Sequence, residues 1–184
     1  MFMQTATRFD FDAATPIAGL APLTGLTAGT LIETAAGWTP AEGLRIGTGV
    51  YTLDGGQRPV LALTRDVLAT GTMLVRLPGG SFDNCSSLDV LPDQDLVLDH
   101  PDGQLVRIAA RMLVGQRGAT MVRLERGVER VTPLFAEDEV VWSNSGTRLY
   151  CAGIATGHAG GFLDRCDGAD ALALLASLAM ERAA

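Results

Sequence analysis

Residues 25–60 read GLTAGTLIETAAGWTPAEGLRIGTGVYTLDGGQRPV, and this stretch decides the fold. Two short apolar runs, residues 30–34 and 49–53, alternate with turns that contain glycine or proline. Short runs of this kind, bounded by turn residues, predict β-strands. Asp54 and Gly55 predict a hairpin, because a type I′ turn needs positive φ at both central residues and these residue types tolerate it.

The same pattern continues along most of the chain. Asp102 and Gly103 give a second hairpin signal of the same type. Such frequent short strands, without long helices between them, predict an antiparallel barrel or sandwich. The further predicted strands are residues 57–64, 72–77, 95–98, 105–109, 121–124, 129–134, 139–142 and 148–152.

The C-terminal segment departs from this pattern. Residues 167–182 are rich in Ala and Leu and begin with an acidic N-cap candidate, Asp167, which predicts a helix. Its apolar residues surround most of the helix, so we expect burial on two sides, either under the strands or against a second copy of the chain. Residues 108–114 predict one further helical turn. The predicted stripe is Leu172, Leu175, Ala176 and Ala179, with Leu174 and Leu178 on another face.

Composition limits the classes of partner. The 184 residues are 47% hydrophobic, enough for one substantial core, and carry a net charge of −7. The chain has no lysine, and its fourteen arginines are scattered. Nucleic acids and anionic membranes need a dense field of cations, so neither is expected as a partner.

The N-terminal residues favour no export signal. Arg8, Asp10 and Asp12 interrupt the apolar run that a cleavable signal peptide needs. A cytoplasmic location is the default expectation, and export by a non-classical route stays open. Apolar stretches such as residues 17–26 are too short to span a bilayer.

The stretch at residues 25–60 resembles the opening block of a Hint (hedgehog/intein) domain of the bacterial type. In that family the block begins with Cys, an aromatic residue, Thr, Pro, Gly and Thr, followed by an apolar strand. The resemblance implies a mainly β, antiparallel, horseshoe-like fold with a C-terminal α-helix. It divides the chain into a leader, residues 1–24, a Hint-like domain, residues 25–156, and a loop with the helix, residues 157–184.

The family's self-processing chemistry starts with an acyl shift. The side chain of the first residue of the block attacks the preceding carbonyl, and an imidazole in a Ser/Thr-x-x-His motif protonates the departing nitrogen. Here Gly25 stands at the nucleophile position. In a second block, VLPDQDLVL at residues 90–98, Asp95 stands at the histidine position and Pro92 at the Ser/Thr position. In a third, DEVVWSNSGT at residues 138–147, Asp138 replaces a histidine.

These substitutions predict that the family's chemistry is lost. Glycine has no attacking atom, and a carboxyl near its reference pKa of about 3.9 has no proton to give at neutral pH. Asp95 could serve as the proton donor only if burial raised its pKa by several units. The remaining role would be that of a scaffold or binding module for an unknown protein or small-molecule partner, with no cofactor. If the scaffold is still competent, Gly25→Cys with Pro92→Thr and Asp95→His is expected to restore thioester formation.

Two other functions stay open. The first is active autoprocessing that releases the leader with Thr24 or Thr27 as nucleophile. The second is a cysteine hydrolase, in which Cys151 or Cys166 is activated by His158 and oriented by Asp164.

Neither histidines nor acidic residues point to a metal. The three cysteines, of which Cys85 is the third, lack the C-x-x-C spacing of a zinc site. His100 is expected to flank a turn. Asp93, Asp95, Asp99 and Asp102 match no calcium-binding loop and predict a solvated acidic edge.

Overall fold

The computed structural model describes residues 22–53, 56–154 and 163–181. Within them the chain forms fourteen strands, one α-helix and two 3₁₀ turns. The strands of the first half are β1 (Leu26–Thr27), β2 (Leu31–Thr34), β3 (Gly37–Pro40), β4 (Gly49–Tyr51), β5 (Gln57–Pro59), β6 (Ala62–Leu68), β7 (Met73–Leu77) and β8 (Leu88–Val90). Those of the second half are β9 (Asp95–Asp99), β10 (Leu105–Ala109), β11 (Thr120–Arg123), β12 (Val128–Leu134), β13 (Glu139–Ser143) and β14 (Thr147–Cys151). The 3₁₀ turns are Ala41–Gly43 and Ala110–Leu113, and helix α1 is Gly168–Glu181.

The described strands form one large curled sheet and two small ones, all antiparallel within the named strands. The large sheet has the order β10-β9-β14-β13-β2-β4-β5, with β3 also paired to β2. The small sheets are β1-β12-β6 and β11-β7-β8. This confirms the predicted mainly β, antiparallel, horseshoe-like architecture with one C-terminal helix.

Burial follows the strand pattern. β14 alternates buried and half-buried residues, as expected of a strand with one face on the core. β13 lies between β14 and β2 and is buried along nearly its whole length, as expected of a central strand. The core includes the fully buried side chains of Leu26, Leu96, Ile108, Phe135 and Leu149.

Two registers bring distant parts of the sequence together. β1 pairs with β12, with Leu26 opposite Val131, so the residue before β1 comes to lie beside β12. β14 pairs with β9 through Leu149 and Leu96, so the first residue of β9 lies near the end of β14. The start of the described chain, the start of β9 and the end of β14 therefore border one cleft.

The strand predictions hold apart from their ends and three omissions. The run predicted at residues 57–64 is two strands, β5 and β6, separated at the fully buried Val60. The unpredicted strands β1, β3 and β8 have two to four residues, too few for periodicity to identify.

The hairpin at Asp102 and Gly103 joins β9 to β10, but its predicted turn type is wrong. Gly103 has φ of +86°, and Asp102 is not in the left-handed region. The Gly103 N–H donates to the His100 carbonyl, and the His100 N–H donates to the Gln104 carbonyl. These bonds define a three-residue loop with a type I turn and a left-handed glycine, which Pro101 favours by fixing its own φ. The predicted turn at Asp54 and Gly55 lies outside the described residues.

The helix exists as predicted, and Leu174 and Leu175 are buried, but the predicted burial is wrong at Leu172 and Ala176. Ala171, Leu174 and Leu175 are buried, whereas Leu172 and Ala176 are exposed. The buried positions follow i, i+3, i+4 spacing, and α1 packs on the 3₁₀ turn Ala110–Leu113. The helical turn expected at residues 108–114 is this same 3₁₀ turn. In the described part of the chain, no helix combines the length and apolarity needed to cross a bilayer.

Candidate functional site

The cleft at the meeting point of β1, β9, β12 and β14 is the candidate site. It encloses about 180 Å³ and is called the Gly25 cleft below. The predicted positions Thr24, Gly25 and Asp95 line it, whereas Asp138 reaches it through Tyr150. Its lining residues also include Asp93, Gln94, Thr132, Tyr150, Cys151 and Arg165.

Gly25 has a backbone conformation and a location that suit glycine. Its φ is +119°, in the region that L side chains rarely adopt. A Cβ at this position would lie 2.8 Å from Thr132 Oγ1 and 3.1 Å from Arg130 Cγ. Both neighbours are on β12, directly opposite the start of β1. A side chain at this position would therefore be strained by φ and crowded by two side chains of β12.

Gln94 binds the backbone nitrogen of Gly25, which is the nitrogen that departs in the family's acyl shift. Its Oε1 accepts the Gly25 N–H at 2.9 Å, and its Nε2 donates to the Tyr150 carbonyl at 2.6 Å. The side chain is 97% buried. The neighbour of the Gly25 nitrogen is thus a hydrogen-bond acceptor fixed by β14, and not an acid.

The carbonyl before Gly25 still has a donor. Arg130 Nη1 donates to the Thr24 carbonyl at 3.3 Å, while Arg130 Nε bonds Asp66 at 2.8 Å. A cation at this carbonyl would stabilise a developing oxyanion. The carbonyl is therefore polarised, although Gly25 carries no attacking atom.

Asp95 is the first residue of β9 and is 8% exposed. Its Oδ1 lies 3.1 Å from Arg165 Nη2. Burial raises the pKa of the Asp95 carboxyl, and the charges of Arg165 and Arg107 act in the opposite direction. The predicted solvated acidic edge is wrong at this position, because the carboxylate faces the cleft and is paired with an arginine.

Asp138 immediately precedes β13, and its carboxyl forms hydrogen bonds with one group in β14 and one just after it. Its Oδ1 accepts the Gly153 N–H at 2.8 Å, and its carboxyl bonds the Tyr150 hydroxyl. Burial and this hydrogen bond raise the pKa of Tyr150 well above its ordinary value. Tyr150 therefore stays protonated at neutral pH, and its ring lies under Arg107, 4.1 Å from the guanidinium carbon.

The remaining predicted positions are separated. Pro92 lies in the loop before β9, where its carbonyl accepts the Arg111 N–H. Thr24 is exposed at the mouth of the Gly25 cleft. Thr27 lines a different cavity, and its hydroxyl bonds Thr30 Oγ1 and the Asp89 carbonyl. Thr24 and Thr27 thus do not share one site.

Cys151 and Cys166 lie in environments that keep their thiols protonated. Burial raises the pKa of Cys151 to about 12, and Glu139 contributes to the shift. The pKa of Cys166 is raised by burial and by the nearby Asp170, Asp167 and Asp164. Neither environment activates a nucleophile at neutral pH. His158, the predicted activator, lies outside the described residues.

The other acidic residues of the predicted edge are each paired. Asp93 bonds Arg111 and also accepts the Leu23 N–H at 2.9 Å. Asp99 bonds Arg148. His100 Nδ1 lies 2.7 Å from Asp102 Oδ1 inside the hairpin loop, in agreement with its predicted turn-flanking position.

Sequence reasoning missed Gln94, Tyr150 and Arg165. Gln94 directly precedes the predicted Asp95, so its place beside the site was within reach of the motif match. Tyr150 and Arg165 lie 55 and 70 positions after Asp95 in the sequence, and only the strand pairing brings them to the cleft.

The family model described as "Hint domain" matches residues 24–147 of this chain. The chain belongs to the Hint domain family. The match begins one residue before Gly25 and contains the three positions at which the self-processing residues are expected. This Hint domain thus has the fold of splicing and autoprocessing modules. No curated protein matches the chain significantly.

Solved structures with a similar fold are inteins and an intein-like domain. The bacterial intein-like domain from Clostridium thermocellum has a TM-score of 0.50 at 15% identity, covering 71% of this chain and 99% of its own. The MchDnaB-1 intein has a TM-score of 0.48 at 14% identity, covering 67% and 98%. A splice-inactive variant of the AceL NrdHF class 3 split intein has a TM-score of 0.46 at 14% identity, covering 71% and 98%.

Proposed function

We propose that this Hint domain does not cleave itself and acts as a binding scaffold. Its leader (residues 1–24), its Hint domain (25–156) and its tail (157–184) then stay covalently joined. The observation that carries the proposal is the geometry of Gly25: its positive φ disfavours any side chain, and a Cβ there would lie 2.8 Å from Thr132 Oγ1.

The surroundings of Gly25 support the same conclusion. An acyl shift needs a proton donor at the departing nitrogen. Here that nitrogen donates its own hydrogen to Gln94 Oε1, and the carboxylate of Asp95 is paired with Arg165. With no attacking atom at position 25, the polarised Thr24 carbonyl has no route to an acyl shift through that position, and the cleft is free to serve as a binding surface.

Mass spectrometry of the freshly made full chain tests this proposal. We expect the intact mass, about 19.3 kDa, to persist with and without added thiol or hydroxylamine. Both reagents trap ester or thioester intermediates, so they would reveal an acyl shift that ordinary incubation does not.

Fragments would distinguish the alternatives. Loss of residues 1–23 would identify Thr24 as the nucleophile, and loss of residues 1–26 would identify Thr27. Either result would contradict the proposal, and Thr24→Ala or Thr27→Ala would then abolish the corresponding fragment.

A further inference from the structure

The tail of the chain adds a short strand-like segment to the large sheet. The Arg107 N–H donates to the Asp164 carbonyl at 2.8 Å, and the Cys166 N–H donates to the Arg107 carbonyl at 2.8 Å. The pairing is parallel and uses the edge of β10 that faces away from β9. This is the geometry in which an extended peptide adds to a sheet edge. Residues 163–168 are called the edge segment below.

The edge segment also places a cation on the buried carboxylate of the cleft. Arg165 Nη2 lies 3.1 Å from Asp95 Oδ1, and Asp167 lies 3.7 Å from Arg165 Nε. Without this partner the cleft would contain a buried carboxylate with less compensating charge. A segment with an arginine would therefore satisfy Asp95 better than a neutral one, whereas the backbone hydrogen bonds of Arg107 do not depend on the side chains of the segment.

The edge segment is held by few contacts. Asp164, Arg165, Asp167 and Gly168 are exposed, and the segment is held by two backbone hydrogen bonds, one ion pair and the half-buried Cys166, which packs against the core. Segments with few buried apolar groups and exposed backbone bonds open at low free-energy cost. The segment also lies outside residues 24–147, the part that matches the family model.

We propose that the β10 edge and Asp95 form a binding site for an extended, arginine-bearing peptide of a partner protein, and that the edge segment is its internal competitor. The partner peptide takes the place of residues 163–168, with its own arginine on Asp95. This inference rests on the proposed binding role and names the partner class for it. A negative peptide-binding result would not affect the outcome of the mass-spectrometry test, so the failure of one proposal can be distinguished from the failure of the other.

The test uses the full-length chain and a synthetic peptide, Leu-Asp-Arg-Ser-Asp-Gly, which reproduces the edge segment with serine for its cysteine. The matched control peptide has alanine in place of the arginine. Backbone amide shifts of Arg107 report occupancy of the β10 edge. The amides of Val106 and Ile108, which face β9, report whether the sheet itself is intact.

We expect the Arg165→Ala chain to bind the arginine peptide about tenfold more tightly than the wild-type chain, because the tethered competitor has lost its ion pair. Two controls should each bind about tenfold more weakly than the arginine peptide binds the Arg165→Ala chain. They are the alanine peptide on that same chain, and the arginine peptide on the Arg165→Ala, Asp95→Asn chain.

Equal affinity for the two peptides, or no shift of the Arg107 amide with either peptide, would overturn the proposal. If Arg165→Ala disturbs the Val106 and Ile108 amides, Arg165→Gln replaces it, since its amide keeps the side-chain bulk without the charge. In the wild-type chain, faster hydrogen exchange at Arg107 and Cys166 than at Val106 and Ile108 is also required. Equally slow exchange at all four amides would contradict a displaceable segment.

Discussion

Gly25 combines two constraints that are separable by mutation. One is its φ of +119°, which a side chain of any size would strain. The other is the nearness of Thr132 Oγ1, which depends on the residue chosen at position 132. A nucleophile at position 25 would have to overcome both, so the proposed absence of self-cleavage rests on the backbone and on β12 as well as on the missing side chain.

Gly25→Ala should therefore lower the free energy of unfolding by about 1–3 kcal/mol, because the new Cβ is strained and crowded. The matched control is Gly29→Ala, which has no heavy atom within 4 Å of the new Cβ and should change stability by less than about 0.5 kcal/mol. Chemical denaturation of both variants measures the difference.

The Thr132→Ala background separates the two constraints. Removing Oγ1 should recover part of the cost of Gly25→Ala, leaving the part due to φ. An unchanged cost in that background would show that Thr132 does not close the position. A neutral Gly25→Ala would contradict both constraints.

The single residues of the site differ in how well sequence could find them. Gly25, Asp95 and Asp138 could be proposed from the sequence because they occupy fixed places in three ordered blocks. Their surroundings could not, since the φ of Gly25 and the burial of Asp95 depend on pairing with β12 and on the approach of Arg165. Asp95, which its spacing assigns to a solvated acidic edge, is in fact buried in the cleft.

Among the larger elements, α1 shows why apolar composition alone did not fix the buried face. Its Leu and Ala residues lie on most sides, so periodicity gave a stripe through Leu172. Contact with the 3₁₀ turn Ala110–Leu113 selects the face of Ala171, Leu174 and Leu175 instead. Packing against a particular neighbour decided between faces of similar hydrophobicity.

Leu175→Ala and Leu172→Ala form a matched pair for this face. Leu175 is 3% exposed, so its truncation should cost about 2–5 kcal/mol of unfolding free energy. Leu172 is 58% exposed, and its truncation should cost less than about 0.5 kcal/mol. Denaturation midpoints compare the two, and equal losses would mean that Leu172 is covered in solution, as the predicted contact with a second copy requires.

Across the chain as a whole, the antiparallel fold was predictable because the strand signals are local and frequent. The order of the strands in the sheets was not predictable, because the pairings of β1 with β12 and of β9 with β14 join residues far apart in sequence. The cleft exists only through those two pairings. The edge segment, whose sequence carries no strand pattern, joins β10 through a single parallel bridge at Arg107.

The most direct test of the account is the chain with Gly25→Cys, Pro92→Thr and Asp95→His, which restores the family's residue types at the reactive positions of the first two blocks. Incubation with thiol and intact-mass measurement would report thioester formation, and slow amide exchange at Val106 and Ile108 would show that the sheet is folded. We predict that the folded variant keeps its full mass, because φ at position 25 and Thr132 still exclude the side chain from an attacking position. Release of a fragment containing residues 1–24 would contradict the account.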